Sequence, residues 1–387
     1  MSTEPSTQVV EIAQKVFELL TQGSFTNTYK YATLLGILNA LEERSTADGP
    51  PSMITSRELA EHVLRLYWPQ CDGFRDDPEL GLIPLAQQSG EKQPKVITAI
   101  LKWRTEHPGQ TISEYISEFR RSEIAFRETK VMLPARTLMN DIERTLIKFP
   151  IPLLQWFGKA KQEFLFKWNM EEQPLGIGDY QAGRPSPIDN TLRFRPGVPQ
   201  ALLTLSPLLR SMIQNEWTRL VAGIRQNNIE ANVLHTFLFD HSRVNLNDTR
   251  TPLRELQQRF CFYCGELLVN EAGHVDHFVP WSRHPNNAIE NLVVAHASCN
   301  ISKSNYLAAP EHLQRWKERL ASSAISSIAT KLKWPSERSA SISIVQSIYG
   351  LLANDVMLWS AKDTMLAFQP KETKPLLAEL DLIRKSA

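Results

Sequence analysis

Between Cys261 and Lys303 the chain gathers residues whose types and spacing suit metal binding and phosphodiester hydrolysis. Cys261-Phe-Tyr-Cys264 holds two thiols two residues apart, the spacing of a tight knuckle whose turn points both sulfurs the same way. His296-Ala-Ser-Cys299 repeats that spacing, so Cys261, Cys264, His296 and Cys299 are the expected ligands of a Cys3His zinc site. The competing reading makes the cysteines small buried side chains without metal and turns His296 toward a phosphate. Cutting a phosphodiester needs a base for the attacking water and a cation for charge on the transition state and leaving oxygen. His277 is the expected base, since its ordinary pKa lies near neutrality. Asp276 offers a hard anionic oxygen to Mg2+ or another divalent cation, and Asn300 adds a neutral amide oxygen. Asn291 either holds a loop or orients the imidazole. Lys303, one turn past Asn300, is expected at a phosphate. His274 shares a strand face with Asp276 and is either a phosphate contact or a solvated side chain. A lone Asp-His pair is more often a structural hydrogen bond; its company makes the difference here.

These residues need elements to hold them. His274–Val279, halted by Pro280, and Leu292–Ala295 read as strands, with a polar loop from Trp281 to Glu290 and helical character over Ser298–Leu307. Strand, strand and helix make a ββα unit if the hairpin closes. His284, in the loop, is expected at the surface, and His235 and His241 are expected to be structural. Trp281 and Trp316 are expected to pack the small domain rather than stack on bases.

The rest of the chain reads as mostly α-helical and multidomain. Val9, Ile12, Val16 and Leu19 recur at helical spacing, as do Leu34, Ile37, Leu38 and Leu41. Thr55-x-x-Glu58 and Thr111-x-x-Glu114 are capping boxes, the first opening a helix with Leu59, Val63 and Leu66 on its apolar face and a stop near Pro69. Ser206-Pro207 reads as an N-cap and first helical residue. Residues 45–53 and 69–95 read as long loops, Ile342–Trp359 as an apolar helix, and the tail from Lys371 as helical. The expected division is a helical domain of unknown role at 1–172, a Pro/Gly-rich linker with a basic helical segment at 173–254, the chemical module at 255–310, and a helical segment at 311–387.

At 387 residues with 42% apolar and 22% charged side chains, the chain is long enough for two or three cores. No apolar run approaches the length of a membrane span, and the N-terminus lacks the pattern of a secretory signal. Three of the four cysteines fall within residues 261–299, which suits thiolate ligands in a reducing cytoplasm better than disulfides. The net charge of +1 does not advertise a polyanionic partner. Residues 193–225 hold five arginines against Glu216, either a phosphate-gripping surface or a solvated face.

The pattern Cys261-x2-Cys264, Val275-Asp-His-Phe-Val-Pro-Trp-Ser282, Asn291-Leu and Cys299-Asn-x2-Lys303 resembles the HNH endonuclease superfamily, with its ββα-metal fold. The resemblance spans residues 255–310. It implies a His277 general base, metal ligands at Asp276 and Asn300, Asn291 as the middle residue of the motif, and cleavage of double-stranded DNA to 5′-phosphate ends. The last metal ligand is an asparagine where some members carry histidine. Restriction or phage defence is the setting the resemblance suggests, with a regulatory or defence-system protein as a possible partner. The readings set against it are a non-cleaving zinc-knuckle protein that binds nucleic acid or acts as a scaffold, and a nuclease directed at RNA.

Overall fold

The computed structural model describes residues 5–22, 27–77, 81–88, 90, 93–157, 160–168, 189–225, 227, 231–240, 245–269 and 273–385. Much of the expected linker, residues 173–188, and His241 lie outside the described residues. Helices dominate, and the chain divides into two compact units, 1–40 with 52–242, and 41–51 with 243–387.

The first unit contains α1 (Pro5–Gln22) and most of α2 (Tyr29–Glu43), followed by β1 (Met53–Thr55) and α3 (Ser56–Tyr67). Both expected capping boxes form. At α3 the Glu58 amide donates to Thr55 Oγ1 at 3.2 Å while the Thr55 amide donates to Glu58 Oε2 at 2.8 Å, so two orphan donors are satisfied reciprocally. Leu59 and Val63 are fully buried, joined by Leu64 and Tyr67, whereas Leu66 is half-buried. Residues 69–95, expected as loop, contain a small antiparallel hairpin, β2 (Arg75–Asp77) and β3 (Gly81–Ile83). Three long helices follow: α4 (Lys95–Glu106), α5 (Ile112–Thr129), opened by the second capping box, and α6 (Pro134–Lys148). Arg57 ties α3 to α5 and α6, donating to Glu123 at 2.7 Å and Asn140 at 2.7 Å. β4 (Phe166–Trp168) and β5 (Thr191–Phe194) complete a three-stranded antiparallel sheet with β5 in the centre.

After β5 come α7 (Val198–Thr204) and α8 (Ser206–Ala222). Ser206 does not cap α8 as expected. Leu205 stays helical between the two helices, and Ser206 Oγ instead accepts from Arg210 Nε at 3.1 Å. The basic stretch is largely spent internally too: Arg193 pairs with Asp189 at 3.0 Å, Arg219 with Glu216 at 2.8 Å, and Arg195 donates to the Glu163 carbonyl.

The second unit is built from α9 (Asn247–Leu256), an antiparallel pair β6 (His274–His277) and β7 (Leu292–Ala295), and α10 (Ala297–Lys303). Further helices are α11 (Pro310–Leu320), α12 (Ala324–Leu332) and α13 (Arg338–Gly350). The expected helix to Trp359 stops at Gly350. Trp359 sits instead in a hairpin of β8 (Met357–Ala361) and β9 (Thr364–Ala367), because an apolar run alone does not distinguish a buried helix from a strand. α14 (Pro370–Lys385) follows. β7 is buried along its whole length and shares one core with Trp316, Ile342, Val345, Trp359 and Leu377. Trp316 stacks on Phe278 at 5.3 Å and donates its indole N–H to the Glu290 carbonyl, so it packs as expected.

Candidate active site

The knuckle is shaped by local geometry. Gly265, at φ +70°, lets the chain reverse so that its amide donates to the Cys261 carbonyl at 3.0 Å, and Cys261 N donates to Glu266 O at 2.8 Å. Phe262 N then donates to Val294 O at 2.9 Å, fastening the turn to β7. β7 runs directly into α10, with His296 at its N-cap and Cys299 in its first turn. The two halves meet. The ligand atoms of Cys261, Cys264, His296 and Cys299 all lie within 4.8 Å of one another, and Cys264 Sγ is 3.3 Å from His296 Nδ1. Three soft sulfurs and an imidazole at that spacing suit tetrahedral Zn2+. Burial, then the neighbouring Cys261 and Cys264 sulfurs, push the Cys299 thiol up to about 12.

β6 pairs with β7 in the register His274 to Ala295, Val275 to Val294, Asp276 to Val293 and His277 to Leu292. Asp276 Oδ2 accepts from the Tyr263 hydroxyl at 2.6 Å and lies 3.0 Å from Lys303 Nζ. Burial and the adjacent Asp276 carboxylate raise the Tyr263 phenol well above its ordinary pKa, so it stays protonated and donates. Sequence reasoning passed over Tyr263, whose signal was its place inside the knuckle.

Lys303 is not where a phosphate contact was expected. Its side chain is 0% exposed, and its ammonium donates to the His277 carbonyl at 3.0 Å as well as facing Asp276. A lysine buried this deeply needs a carboxylate beside it, and this pair binds α10 to β6. Replacing Lys303 with methionine would leave the Asp276 charge without its cation and is expected to destabilise the second unit by about 3–5 kcal/mol, read as a lower urea midpoint.

Asn300 precedes Lys303 by three residues on α10, a spacing that puts the two close to one helix face. The Asn300 side chain is half-buried, and His274 is exposed at the start of β6.

His277 ends β6 and enters the loop. Its Nε2 lies 2.9 Å from Asn287 Oδ1, and its ring lies 5.3 Å from Trp281. The Asp276 carboxylate therefore addresses the knuckle and α10, while the imidazole addresses the loop. Asn287 was missed in the sequence because it follows another asparagine in an unpatterned run. Asn291, 1% exposed, clamps that loop: Oδ1 accepts from Val279 N at 2.8 Å, and Nδ2 donates to the carbonyls of Val279 at 3.1 Å and Asn286 at 3.0 Å. Of its two expected roles, these bonds are those of a loop holder. His284, expected at the surface, is 3% exposed and lies against Glu42 and Glu43.

Residues 10–238 match a family described as Domain of unknown function (DUF8808), more than half of the chain. The chain belongs to the DUF8808 family. Within this DUF8808 chain, residues 261–309 match the HNH endonuclease family. That segment begins at the first knuckle cysteine, takes in the β6–β7 hairpin and α10, and ends at Ala309; it points to a nuclease. No curated protein and no solved structure matches the DUF8808 chain. Among its described residues no helix is long and apolar enough to cross a membrane.

Proposed function

We propose that the chain is a metal-dependent endonuclease that hydrolyses phosphodiester bonds of double-stranded DNA. The observation that carries this reading is the strand-borne Asp276-His277 pair, beside the helix bearing Asn300, in a segment that matches HNH endonucleases. With Asn287 Oδ1 accepting at Nε2, the neutral His277 ring keeps its proton there and leaves Nδ1 as the base for water. Asp276 and Asn300 supply the hard oxygen donors that fit Mg2+ or a similar ion, with Asp276 Oδ1 as the oxygen not engaged by Tyr263. Such a cation would neutralise charge on the scissile phosphate and the leaving oxygen. Asn291 holds the loop, Lys303 holds Asp276, and zinc held by the Cys3His cluster would tie the knuckle to the start of α10. Exposed His274 is a phosphate contact in this scheme.

A grip on DNA requires cations outside the module, whose own charge between Arg254 and Lys303 is slightly acidic. A cavity of about 920 Å³ in the first unit, lined by Lys95 and Lys102 from α4 and Arg144 and Lys148 from α6 against Asp141, has the required sign. We infer a recognition or regulatory role for this unit, a cytoplasmic location, and a setting in restriction or phage defence, where a protein partner would restrain the nuclease; the resemblance to HNH proteins of such systems supports the setting.

Incubating the full-length protein with supercoiled plasmid and Mg2+ or Mn2+ is expected to give nicked and linear DNA, abolished by EDTA and restored by the cation. Salt-sensitive DNA retention with no product under several divalent cations would instead support a binding protein that does not cut. Cleavage confined to RNA would reassign the substrate.

A further inference from the structure

The loop between β6 and β7 has an anchor far away in the chain. His284, at its centre, is buried with Nδ1 against Glu42 Oε2 and Nε2 3.6 Å from Glu43 Oε1. Glu42 is itself 2% exposed. The two carboxylates are the last residues of α2, whose final turn carries no basic residue. Acids at a helix C-terminus oppose the macrodipole, and a buried carboxylate is costly unless it is paired. The imidazole of His284, in contact with both carboxylates, offsets part of those two costs. Glu42 and Glu43 lie inside the segment that matches DUF8808, yet they belong to the second compact unit.

From His284 the chain reaches Asn287 through Pro285 and Asn286, and the residues on either side of Pro285 are held. The amides of Arg283 and His284 donate to the Pro280 carbonyl at 2.8 and 3.3 Å, closing a turn. Asn286 Nδ2 donates to Ser341 Oγ at 3.1 Å, its Oδ1 accepts from Ala288 N at 2.8 Å, and its carbonyl accepts from Asn291. The Asn287 carbonyl accepts from the Trp334 indole at 2.8 Å. Asn287 then meets His277. Two residues, Pro285 and Asn286, separate His284 from the asparagine that meets the imidazole, so the path along the chain is short.

We propose that Glu42 and Glu43 are positioning residues for the hydrolytic site: by clasping His284 they set the loop that aims the His277 imidazole through Asn287. The inference rests on the reading of His277 as the general base. It gives the DUF8808 segment a direct part in the chemistry, since anything that moves the end of α2 moves the base.

The test uses full-length Glu42→Ala, Glu42→Gln and Glu43→Gln proteins. For each, kcat and KM for plasmid nicking with Mg2+ are measured, together with the His277 ring resonances in histidine-labelled protein without DNA. A misplacement of about 1 Å costs on the order of 10²-fold in rate. Glu42→Ala is therefore expected to lower kcat by about 10- to 100-fold with KM little changed and to shift the His277 resonances. Glu42→Gln, which keeps a hydrogen-bond acceptor for His284, is expected to recover much of both. Unchanged kcat and unchanged His277 resonances in folded, zinc-loaded Glu42→Ala protein would overturn the proposal. If Glu42→Ala fails to fold, Glu43→Gln carries the same expectations in milder form, and wild-type values in it count against the clasp. If the wild-type protein cuts nothing, the nuclease reading fails on its own, while the resonances still decide whether Glu42 positions His277.

Discussion

Substituting His277 with alanine is expected to lower the plasmid-nicking rate by about 10²–10⁴-fold, the range that a positioned general base contributes. With His277 as the proposed base the loss belongs in kcat, because in that role the imidazole acts on water and not on the phosphates that hold the DNA. DNA affinity and zinc content are expected to stay at wild-type values. The structure gives reason to expect a clean result. His277 is half-buried, its side-chain contacts include Asn287 and Trp281, and the bond that ties its position to α10 uses its backbone carbonyl, which alanine retains. Nicking at the wild-type rate by the folded alanine protein would remove His277 from the mechanism.

A second large effect is expected from Cys261→Ser. Cys261 is buried, accepts the His296 amide at 3.4 Å, and begins the turn whose next residue bonds to β7. Serine offers a harder, shorter and less acidic donor, so zinc content is expected to fall from about one per chain toward zero. The loss of a structural metal is among the few single changes that exceed about 4 kcal/mol, and a lower melting temperature of the second unit is expected with it. Nicking should disappear in parallel, because the N-terminus of α10 would be freed and Asn300 lies in its second turn. Full zinc occupancy in Cys261→Ser would mean that the four residues are not a metal site.

Some of this architecture was readable in the sequence because it is local. The capping boxes at Thr55 and Thr111 depend on residues three apart, and the knuckle depends on a turn of four, so spacing alone carries the geometry. The β6 and β7 segments were legible for the same reason, their β-branched runs being bounded by Pro280 and by the α10 start. Contacts made across the fold left no such trace. Lys303 was expected at a phosphate from its place one turn past Asn300, and its burial against Asp276 appears only when the hairpin is closed. His284 and Glu42 stand 242 residues apart, with no periodicity linking them. Trp359 was misassigned because its apolar neighbours fit a buried helix as readily as a strand. The cations of the first unit's cavity escaped notice because they are divided between α4 and α6, whereas the arginines that crowd together at 193–225 are largely occupied by neighbouring acceptors.

The discontinuous second unit has a consequence for vectorial synthesis. Residues 41–51 leave the ribosome some three hundred residues before α14, whose Arg384 donates to the Ser45 carbonyl at 3.1 Å and to Ser343 Oγ at 2.9 Å. At ordinary elongation rates that interval is on the order of tens of seconds. Throughout it the early strip lacks its binding site, and the unit that carries the reactive side chains cannot be completed. The second unit therefore closes only after the whole of the first has been made.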